Sequence, residues 1–314
     1  MDLEGLQAKL EPRAVAAEPL SRHTTFGIGG PADLFVVAHS RGELADCSRL
    51  ACEYDVPCLT VGRGANLLVA DRGVRGLVVQ NAVMGIEISL AQHVDGRGAR
   101  YLAIVADSGS LLREVSRQAM ARGLTGLEWA VDVPGTLGGA IVGNAGAFGG
   151  YTSDSLSRAL IFEPDRGERW WSREALAMEY RTSYFKQHKR PLACGPVILA
   201  AELYLQPGPS AAQMQARAAQ YTHSRRETQP SGLSAGSVFK RAAEAPAGFL
   251  IENAGLKGER IGDALVSPKH ANFIVNMGNA TAQDVRQLIE RVRERVFQHS
   301  SVMLELEIEM VGEW

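Results

Sequence analysis

The chain lacks several features that would assign a protein to a class at once. It has only four cysteines (Cys47, Cys52, Cys58 and Cys194), and their spacing fits neither a metal site nor a disulfide framework. No apolar run approaches the roughly 18 residues of a membrane span. The first fifteen residues carry acidic side chains early and have no apolar core, unlike a secretory signal peptide. These absences predict a cytoplasmic protein with no metal and no membrane insertion.

An excess of charge of one sign is also missing. The 33 basic residues are balanced by 35 acidic ones, for a net charge of −2, so a basic face for nucleic acid is not expected. Hydrophobic residues make up 46% and charged residues 22% of the 314 positions, as in ordinary globular proteins. The length allows two or three domains at about 100–200 residues each. The composition gives no indication of the oligomeric state.

Glycine is abundant, above all between Val133 and Gly150. This stretch, VPGTLGGAIVGNAGAFGG, holds seven glycines and no charged residue, and Thr136 and Asn144 are its only strong side-chain hydrogen-bonding groups. Backbone without side chains can approach a ligand closely, and positive φ angles can aim successive N–H groups at one point. A buried turn between two layers of backbone would explain one Gly-Gly pair. Seven glycines among small apolar residues favour a cradle for a flat cofactor ring with a phosphate tail.

Two further glycine motifs need separate interpretation. The loop from Gly62 to Asp71, GRGANLLVAD, lies between two predicted strands, where backbone N–H groups could hold a phosphate and Asn66 could add a polar contact. A plain β-turn explains the glycines of this loop equally well. Gly27-x-Gly29-x-x-Ala32 matches the loose dinucleotide fingerprint, but Pro31 is followed by the β-type run LFVV instead of a helix, so we reject that match.

The remaining pattern predicts helices and strands that interleave without a strict βαβ rhythm, which indicates the α+β class. A capping-box-like start at Thr281 and Asp284 opens a helix with a buried stripe at Val285, Leu288, Ile289, Val292 and Val296. Pro207-Gly-Pro-Ser210 is typical of a domain boundary. The other expected features are helices at 41–54, from a Ser110 cap to Gly123, at 211–226 and at 247–258, strands at 56–61, 76–80, 86–90, 101–106, 159–163, 168–171, 196–205, 272–276 and 303–311, and a hairpin turn at 95–98.

Three polar residues are candidates for chemistry. Arg181, in YRTSYF, suits a carboxylate or phosphate clamp because guanidinium offers a planar fork, but an arginine stacked on surface tyrosines is equally plausible. Ser237, in SAGSVFK, has no evident His/Asp arrangement and suits a cap or turn. Glu307 shares one face of a predicted strand with Glu305 and Glu309, and a solvated face is the simplest interpretation.

Eight motifs follow one another along nearly the whole chain: TFGIGGPADL (25–34), GRGANLLVADRG (62–73), GLEWAVDVPGTLGGAIVGNAGAFG (126–149), YRTSYF (180–185), TQPSGLSAGSVFK (228–240), AGFLIENAGLKG (247–258), SPKHANFIVN (267–276) and LELEIEMVG (304–312). In this order, from about residue 23 to 312, they resemble the UDP-N-acetylenolpyruvoylglucosamine reductase family, in its shorter form. The resemblance implies a two-part FAD-binding region of the vanillyl-alcohol-oxidase type at 1–86 and 87–206, followed by a smaller α+β substrate-binding domain at 207–314.

The resemblance also implies an activity. Members use non-covalent FAD and the co-substrate NADPH to reduce the enolpyruvyl ether of UDP-N-acetylglucosamine to UDP-N-acetylmuramate, in the synthesis of peptidoglycan precursors for cell-wall growth and division. By motif, Arg181 stabilises negative charge on the substrate, Ser237 donates a proton to carbon, and Glu307 acts near the same carboxyl with a raised pKa. Implied cofactor-binding residues are Gly62, Gly64, Ala65, Asn66, Leu67, Pro134, Gly135, Thr136, Gly138, Gly139, Asn144, Gly146 and Ala147, and implied substrate-binding residues are Tyr180, Lys240, Arg241, His270 and Asn272.

The chain departs from the family pattern at three places, and two other functions stay open. Asp107-Ser-Gly109 replaces Gly-Ala-Gly, Asp132-Val-Pro-Gly135 replaces Gly-Ile-Pro-Gly, and Arg241 stands where other members carry Asn. One alternative is an FAD oxidase that uses oxygen, which the lack of a His suited to covalent flavin attachment disfavours. The other is a non-catalytic flavin- or nucleotide-binding regulator, which would not couple NADPH oxidation to loss of an enol ether.

Overall fold

The computed structural model describes residues 1–94, 100–188 and 195–314, so the predicted turn at 95–98 and Cys194 lie outside the described residues. The helices are α1 (Leu3–Leu10), α2 (Arg41–Glu53), α3 (Leu112–Ala121), α4 (Leu137–Val142), α5 (Thr152–Ser155), α6 (Tyr184–Gln187), α7 (Ala211–Thr228), α8 (Ala247–Asn253) and α9 (Ala282–Ser300). The strands are β1 (Val15–Pro19), β2 (Pro31–Ala38), β3 (Cys58–Val61), β4 (Leu67–Val69), β5 (Val74–Asn81), β6 (Ile86–Val94), β7 (Arg100–Asp107), β8 (Leu124–Thr125), β9 (Gly146–Ala147), β10 (Gly150–Tyr151), β11 (Leu156–Glu163), β12 (Gly167–Ser172), β13 (Val197–Pro207), β14 (Arg260–Ile261), β15 (Ala264–Val266), β16 (Ile274–Asn276) and β17 (Glu309–Val311).

The chain forms two compact units, and each is assembled from three separate stretches. The first unit comprises Met1–Ala14, Phe35–Gly62 and Gly76–His223, and the second comprises Val15–Leu34, Arg63–Arg75 and Ser224–Trp314. The division into domains at 1–86, 87–206 and 207–314 stays a prediction.

The first unit is built around an antiparallel sheet in the order β12-β11-β13-β7-β6, with β8 beside the end of β13. Helices α3 and α4 cover it. Leu112, Val115 and Ala119 of α3 recur at helical spacing and are buried against the sheet residues Ile104 and Ile161. A smaller group of strands in the same unit has the order β2-β5-β3, with β3 and β5 parallel. Strand β2 begins at Pro31, where the dinucleotide fingerprint would require a helix, so the structure supports rejecting that match.

Helix α3 begins later than predicted. Ser110 was expected to cap it, but the N-cap position is Leu111, which makes no side-chain cap hydrogen bond. The hydroxyl of Ser110 is used elsewhere, since it donates to the Gly85 carbonyl at 3.1 Å.

In the second unit, α9 packs on the three-stranded sheet β14-β15-β16, and α8 packs against α9. Thr281 and Asp284 form the predicted capping box at the start of α9. The predicted stripe on α9 is buried, and its side chains join Phe26 and Leu68 in one apolar core. Strand β4 pairs in parallel with β17, with Leu67 opposite Glu309, so the Gly62–Gly73 motif is hydrogen-bonded to the C-terminal strand.

Two predicted elements in the second unit are shorter than expected. Helix α8 ends at Asn253, not near 258, because Gly255 takes the left-handed conformation (φ +72°) and terminates it. The final strand covers only Glu309–Val311 instead of 303–311. Before this strand, Leu306 makes an isolated bridge with Phe239. Residues 305–307 therefore pair with the segment around Phe239, whereas β17 pairs with β4.

An ion pair across β11 and β13 carries a pH prediction. Arg158 donates from Nε and Nη2 to the two carboxylate oxygens of the buried Glu202, at 3.0 and 2.8 Å. Burial alone would raise the pKa of Glu202, but the Arg158 fork, together with hydrogen bonds from Tyr204 and Ser157, outweighs it and holds that pKa below its ordinary value. A carboxyl with a lowered pKa stabilises the fold above its unfolded-state pKa, and this contribution is lost as the pH falls through the folded-state pKa.

Replacing Glu202 by Gln should therefore lower the free energy of unfolding at pH 7 by about 1–2 kcal/mol, since a charge-assisted fork to a half-exposed arginine is lost. The deficit should shrink below about pH 4, where the wild-type carboxyl is protonated in the unfolded chain. Urea unfolding of wild type and Glu202→Gln, at pH 7 and below about pH 4, measures this deficit in the free energy of unfolding. Glu168→Gln, at an exposed position of β12, is the matched control and should change neither value. A Glu202→Gln deficit that stays constant with pH would contradict the assignment.

Candidate active site

Two glycine motifs meet in the first unit. A Cβ at Gly62 would lie 2.4 Å from Thr136 Oγ1, so only glycine allows the end of β3 to approach the N-terminus of α4 this closely. Thr136 is the N-cap of α4 and accepts the Gly139 N–H through its hydroxyl at 3.3 Å. Gly62 and the Val133–Gly150 stretch are therefore in contact through Thr136.

The glycines of the Val133–Gly150 stretch divide into two kinds. Some are required by packing within the protein, since a Cβ at Gly138 would lie 3.0 Å from the Ser108 Cβ, one at Gly146 would collide with Tyr151, and one at Gly150 with Trp129. Gly139 and Gly149 are different. A Cβ at Gly139 would meet only Thr136 Oγ1, at 3.5 Å, and one at Gly149 would meet nothing within 4 Å. The bare surface suited to a cofactor is at these open positions.

Arg181 lies beside this glycine stretch. Glu179 and Thr182 form an antiparallel bridge, and Arg181 between them has a positive φ of +57°, which is uncommon for a side-chain-bearing residue. Its Nη2 donates to the Gly146 carbonyl at 3.3 Å. Such local backbone strain is found most often at functional sites. Tyr180, the adjacent residue predicted to bind substrate, is 46% exposed.

Asn144 holds the Arg181 turn in place. It is buried with a positive φ of +38°, its Nδ2 donates to the Glu179 carbonyl at 2.9 Å, and its Oδ1 accepts the Ser153 N–H at 3.1 Å. Both ends of the amide thus bind the protein. Asn144 was predicted as a cofactor ligand, and the structure gives its side chain a supporting role for the turn that carries Arg181.

In the second unit, the Gly62–Gly73 motif contacts two other motifs. Gly64 has φ +59°, and a Cβ there would lie 2.4 Å from the His23 carbonyl oxygen, which again requires glycine. Thr25 donates its N–H to the Gly64 carbonyl at 3.3 Å and its hydroxyl to the Ser234 carbonyl at 2.8 Å. Thr25 therefore joins the Gly64 turn to the segment that leads into Ser237.

Ser237 and Glu307 lie on neighbouring segments of the second unit. Both residues are half-buried, and the Val238 carbonyl accepts the Glu307 N–H at 2.8 Å. Asn66 holds the Glu307 segment from the other side, because its Nδ2 donates to the Glu307 carbonyl at 3.0 Å and its own carbonyl accepts the Glu309 N–H at 2.8 Å. The amide of Asn66, predicted to contact a phosphate, is thus also bound to the segment of Glu307.

The other predicted substrate residues of the second unit differ in their surroundings. Lys240 pairs with the exposed Glu305 at 3.3 Å, and Arg241 is exposed. His270 is half-buried, and burial lowers its pKa, which favours the neutral ring. Its Nδ1 accepts the Asn272 N–H at 3.2 Å, which places the ring proton on Nε2. Asn272 is buried, and both polar atoms of its side chain bind Phe239.

Two supporting residues were not singled out from the sequence. Asp71, in the Gly62–Gly73 motif, accepts the N–H groups of Ala282 and Gln283, at 2.8 and 3.0 Å, and so caps α9. Ser183 donates to the Val142 carbonyl at 2.6 Å and ties YRTSYF to the end of α4. Their partners are distant in sequence, and only their place inside the motifs could have marked them.

The departures from the family pattern at Asp107 and Asp132 have local partners in the first unit. Asp107 accepts from Arg41 Nε at 2.6 Å. Asp132 accepts the hydroxyl hydrogen of Thr222 and lies 3.8 Å from Arg117. Each extra carboxylate is thus compensated by a neighbouring donor.

Across 1–94, 100–188 and 195–314, no cluster of three or more His, Cys, Asp or Glu side chains is arranged to hold a metal ion. Nor does this part of the chain contain a helix with the length and apolarity that a membrane crossing needs.

Known proteins resemble this chain over most of its length. A family model described as FAD binding domain matches residues 32–169, and the model of the C-terminal domain of UDP-N-acetylenolpyruvoylglucosamine reductase matches residues 229–311. The UDP-N-acetylenolpyruvoylglucosamine reductase of Alkaliphilus oremlandii is 39% identical over 297 residues, which cover 94% of this chain and 92% of the relative. The chain belongs to the UDP-N-acetylenolpyruvoylglucosamine reductase family.

Two further relatives agree with membership of this reductase family. UDP-N-acetylenolpyruvoylglucosamine reductase 2 of Symbiobacterium thermophilum is 43% identical over 298 residues, which cover 94% of this chain and 91% of the relative. The crystal structure of the reductase from Thermus caldophilus matches with a TM-score of 0.74 and 33% identity, over 95% of this chain and 97% of that one. The predicted family, the α+β class and the presence of an FAD-binding domain are confirmed.

Proposed function

We propose that this protein catalyses the NADPH-consuming, FAD-dependent reduction of UDP-N-acetylglucosamine enolpyruvate to UDP-N-acetylmuramate, a step in the synthesis of peptidoglycan precursors. The observation that carries the proposal is family membership over 94% of the chain, with an FAD-binding domain in the N-terminal half. The cytoplasm is the proposed compartment, because NADPH and UDP-sugars are made there.

The residues of the two glycine motifs fit FAD. Gly139 and Gly149 leave bare backbone where a Cβ would occupy space, and Gly62 and Gly64 let their turns approach Thr136 and His23 closely. When bound, FAD supplies hydride transfer from NADPH to the enol ether. The protein's part is to hold and orient this group through the backbone N–H groups of the motifs.

Arg181 is proposed to bind the carboxylate of the enolpyruvyl group. Hydride addition to the alkene drives negative charge toward that carboxylate, and a preorganised guanidinium is a strong stabiliser of such charge. The Asn144 and Gly146 contacts fix the Arg181 turn before substrate arrives. This supports a positioned donor over a mobile surface arginine.

Ser237 and Glu307 are proposed to act on the same group. Ser237 donates its hydroxyl proton to the carbon that does not receive the hydride, and it needs accurate placement because a hydroxyl is a weak acid. Glu307 assists near the carboxyl in its protonated form, which requires a pKa above the ordinary value of about 4.3. The Val238 carbonyl, which accepts the Glu307 N–H beside Ser237, supports their joint action.

A steady-state assay tests the proposed function. NADPH oxidation by the FAD-loaded protein should depend on UDP-N-acetylglucosamine enolpyruvate and should continue under argon. NADPH oxidation that requires oxygen and does not depend on the enol ether would identify an oxidase instead. A protein that binds FAD but shows neither activity would be a non-catalytic flavin binder.

Gly139→Val tests the cradle. The added side chain enters space that the protein itself leaves open, so FAD occupancy should fall while the second unit stays folded. The ratio of flavin absorbance to protein absorbance measures occupancy, and FAD should be released on denaturation of the wild type.

Gly42→Val, on α2 with nothing within 4 Å of its Cβ, is the matched control and should keep full occupancy. Gly138→Val is unsuitable because its side chain would meet Ser108 and destabilise the fold directly. Equal FAD content in Gly139→Val and wild type would place the cofactor elsewhere.

A further inference from the structure

Asn272 is hydrogen-bonded to the two residues that follow Ser237. Its carbonyl accepts the Val238 N–H at 2.8 Å, its Oδ1 accepts the Phe239 N–H at 3.0 Å, and its Nδ2 donates to the Phe239 carbonyl at 2.8 Å. The side chain therefore imitates a strand partner for Phe239. The residue is buried, so each of these bonds is shielded from water.

The Ser237–Phe239 segment is also paired with the segment that contains Glu307. Ser237 forms an antiparallel bridge with Phe273, and Phe239 forms one with Leu306. Between these bridges, Val238 donates to Asn272 and accepts from Glu307 at 2.8 Å. One short segment thus carries Ser237 and also fixes the position of the Glu307 backbone.

We propose that Asn272 is a positioning residue of the reaction: its side-chain amide fixes the Ser237–Phe239 segment, and thereby the hydroxyl of Ser237 and the backbone of Glu307, relative to the substrate. The proposal rests on the function proposed above. It replaces the predicted role of Asn272 as a direct substrate ligand, since both polar atoms of the amide are directed at Phe239.

The amide is chemically necessary at this position. Phe239 presents one donor and one acceptor to the side chain, and a neutral amide of this length offers the complementary pair at every pH. In Asn272→Asp, a carboxylate oxygen would face the Phe239 carbonyl with no proton between them. Protonation of that carboxyl would restore the donor.

Asn272→Asp should slow reoxidation of the NADPH-reduced enzyme by the enol ether about ten- to a hundredfold, since a displacement of about 1 Å can cost that much. Reduction by NADPH should fall by less than about twofold. The reoxidation deficit should shrink as the pH is lowered from 8 to 5.5, because burial raises the pKa of the new carboxyl toward this range. Amide hydrogen exchange in the peptide that covers residues 237–240 should accelerate, independently of activity.

Two variants serve as comparisons. Asn276→Asp makes the same change at a buried amide of the same unit, where Nδ2 donates to the Phe26 carbonyl at 3.1 Å, and it should leave reoxidation within about twofold of wild type. Asn272→Ser removes both side-chain bonds without adding charge. It should be slow at every pH, which separates carboxyl protonation from titration of the neighbouring His270, and it substitutes for Asn272→Asp if that variant does not fold.

Equal losses in both half-reactions, or an equal loss in Asn276→Asp, would overturn the positioning role. Wild-type reoxidation and exchange rates in Asn272→Ser would also overturn it. Failure of the proposed function is distinguishable, because then wild type itself would not be reoxidised by the enol ether.

Discussion

Replacing Ser237 by alanine should slow reoxidation of the reduced flavin by the enol ether by about 10²–10⁴-fold, the usual loss for a positioned general acid. Reduction by NADPH should stay close to the wild-type rate, since that step needs no proton from Ser237. Stopped-flow measurement of flavin absorbance separates the two steps. The effect should be confined to the second step because Ser237 is proposed to act only on the substrate carbon.

Ser234→Ala is the matched control for Ser237→Ala. Ser234 lies in the same segment, and its contacts to Thr25 are made by its backbone, so loss of its hydroxyl should change neither step. Reoxidation of Ser237→Ala at the wild-type rate would exclude Ser237 as the acid. A bound water or another hydroxyl would then have to supply the proton.

Arg181→Ala should slow the same step by about 10²–10³-fold, which is typical when one donor to a developing anion is removed. Its KM for the enol ether should also rise, because the guanidinium binds the carboxylate before the reaction as well as during it. This increase in KM distinguishes Arg181 from Ser237. The positive φ at residue 181 is strained for alanine and arginine alike, so the change removes the side chain without relieving the turn.

Arg181→Lys keeps the charge but loses the planar fork, so it should recover only part of the rate. Arg173→Ala, at an exposed position on the same connection between β12 and α6, removes an equal charge and should leave both steps unchanged. An Arg181→Ala enzyme with wild-type KM and reoxidation rate would restrict Arg181 to its structural contact with Gly146.

The sequence predicted well those features that are encoded locally. The stripe on α9 and the Thr281–Asp284 capping box depend on neighbours within a few turns, and both are present. The predicted end of α8 was wrong because the helix was extended past Gly255, although a left-handed glycine ends a helix through local bonds, here from the Gly255 N–H to Glu252 and from the Leu256 N–H to Ile251. The pairing of β4 with β17, and the cap that Asp71 places on α9 across 211 residues, have no local signal at all.

The candidate site shows the same limit. Residue spacing alone left Arg181, Ser237 and Glu307 ambiguous, and their proposed roles come from the family resemblance of the ordered motifs. The motifs do not say which polar residues face a ligand and which face the protein. Asn144 and Asn272 are the clear examples, because both are buried amides whose polar atoms bind backbone groups of distant segments.

The most direct test of the account is a single anaerobic turnover. The FAD-loaded protein, reduced with one equivalent of NADPH, is mixed with UDP-N-acetylglucosamine enolpyruvate, and both the flavin absorbance and the product mass are followed. We expect full return of the oxidised flavin spectrum and one equivalent of UDP-N-acetylmuramate, heavier than the substrate by two hydrogen atoms. A flavin that stays reduced, with the enol ether recovered unchanged, would contradict it.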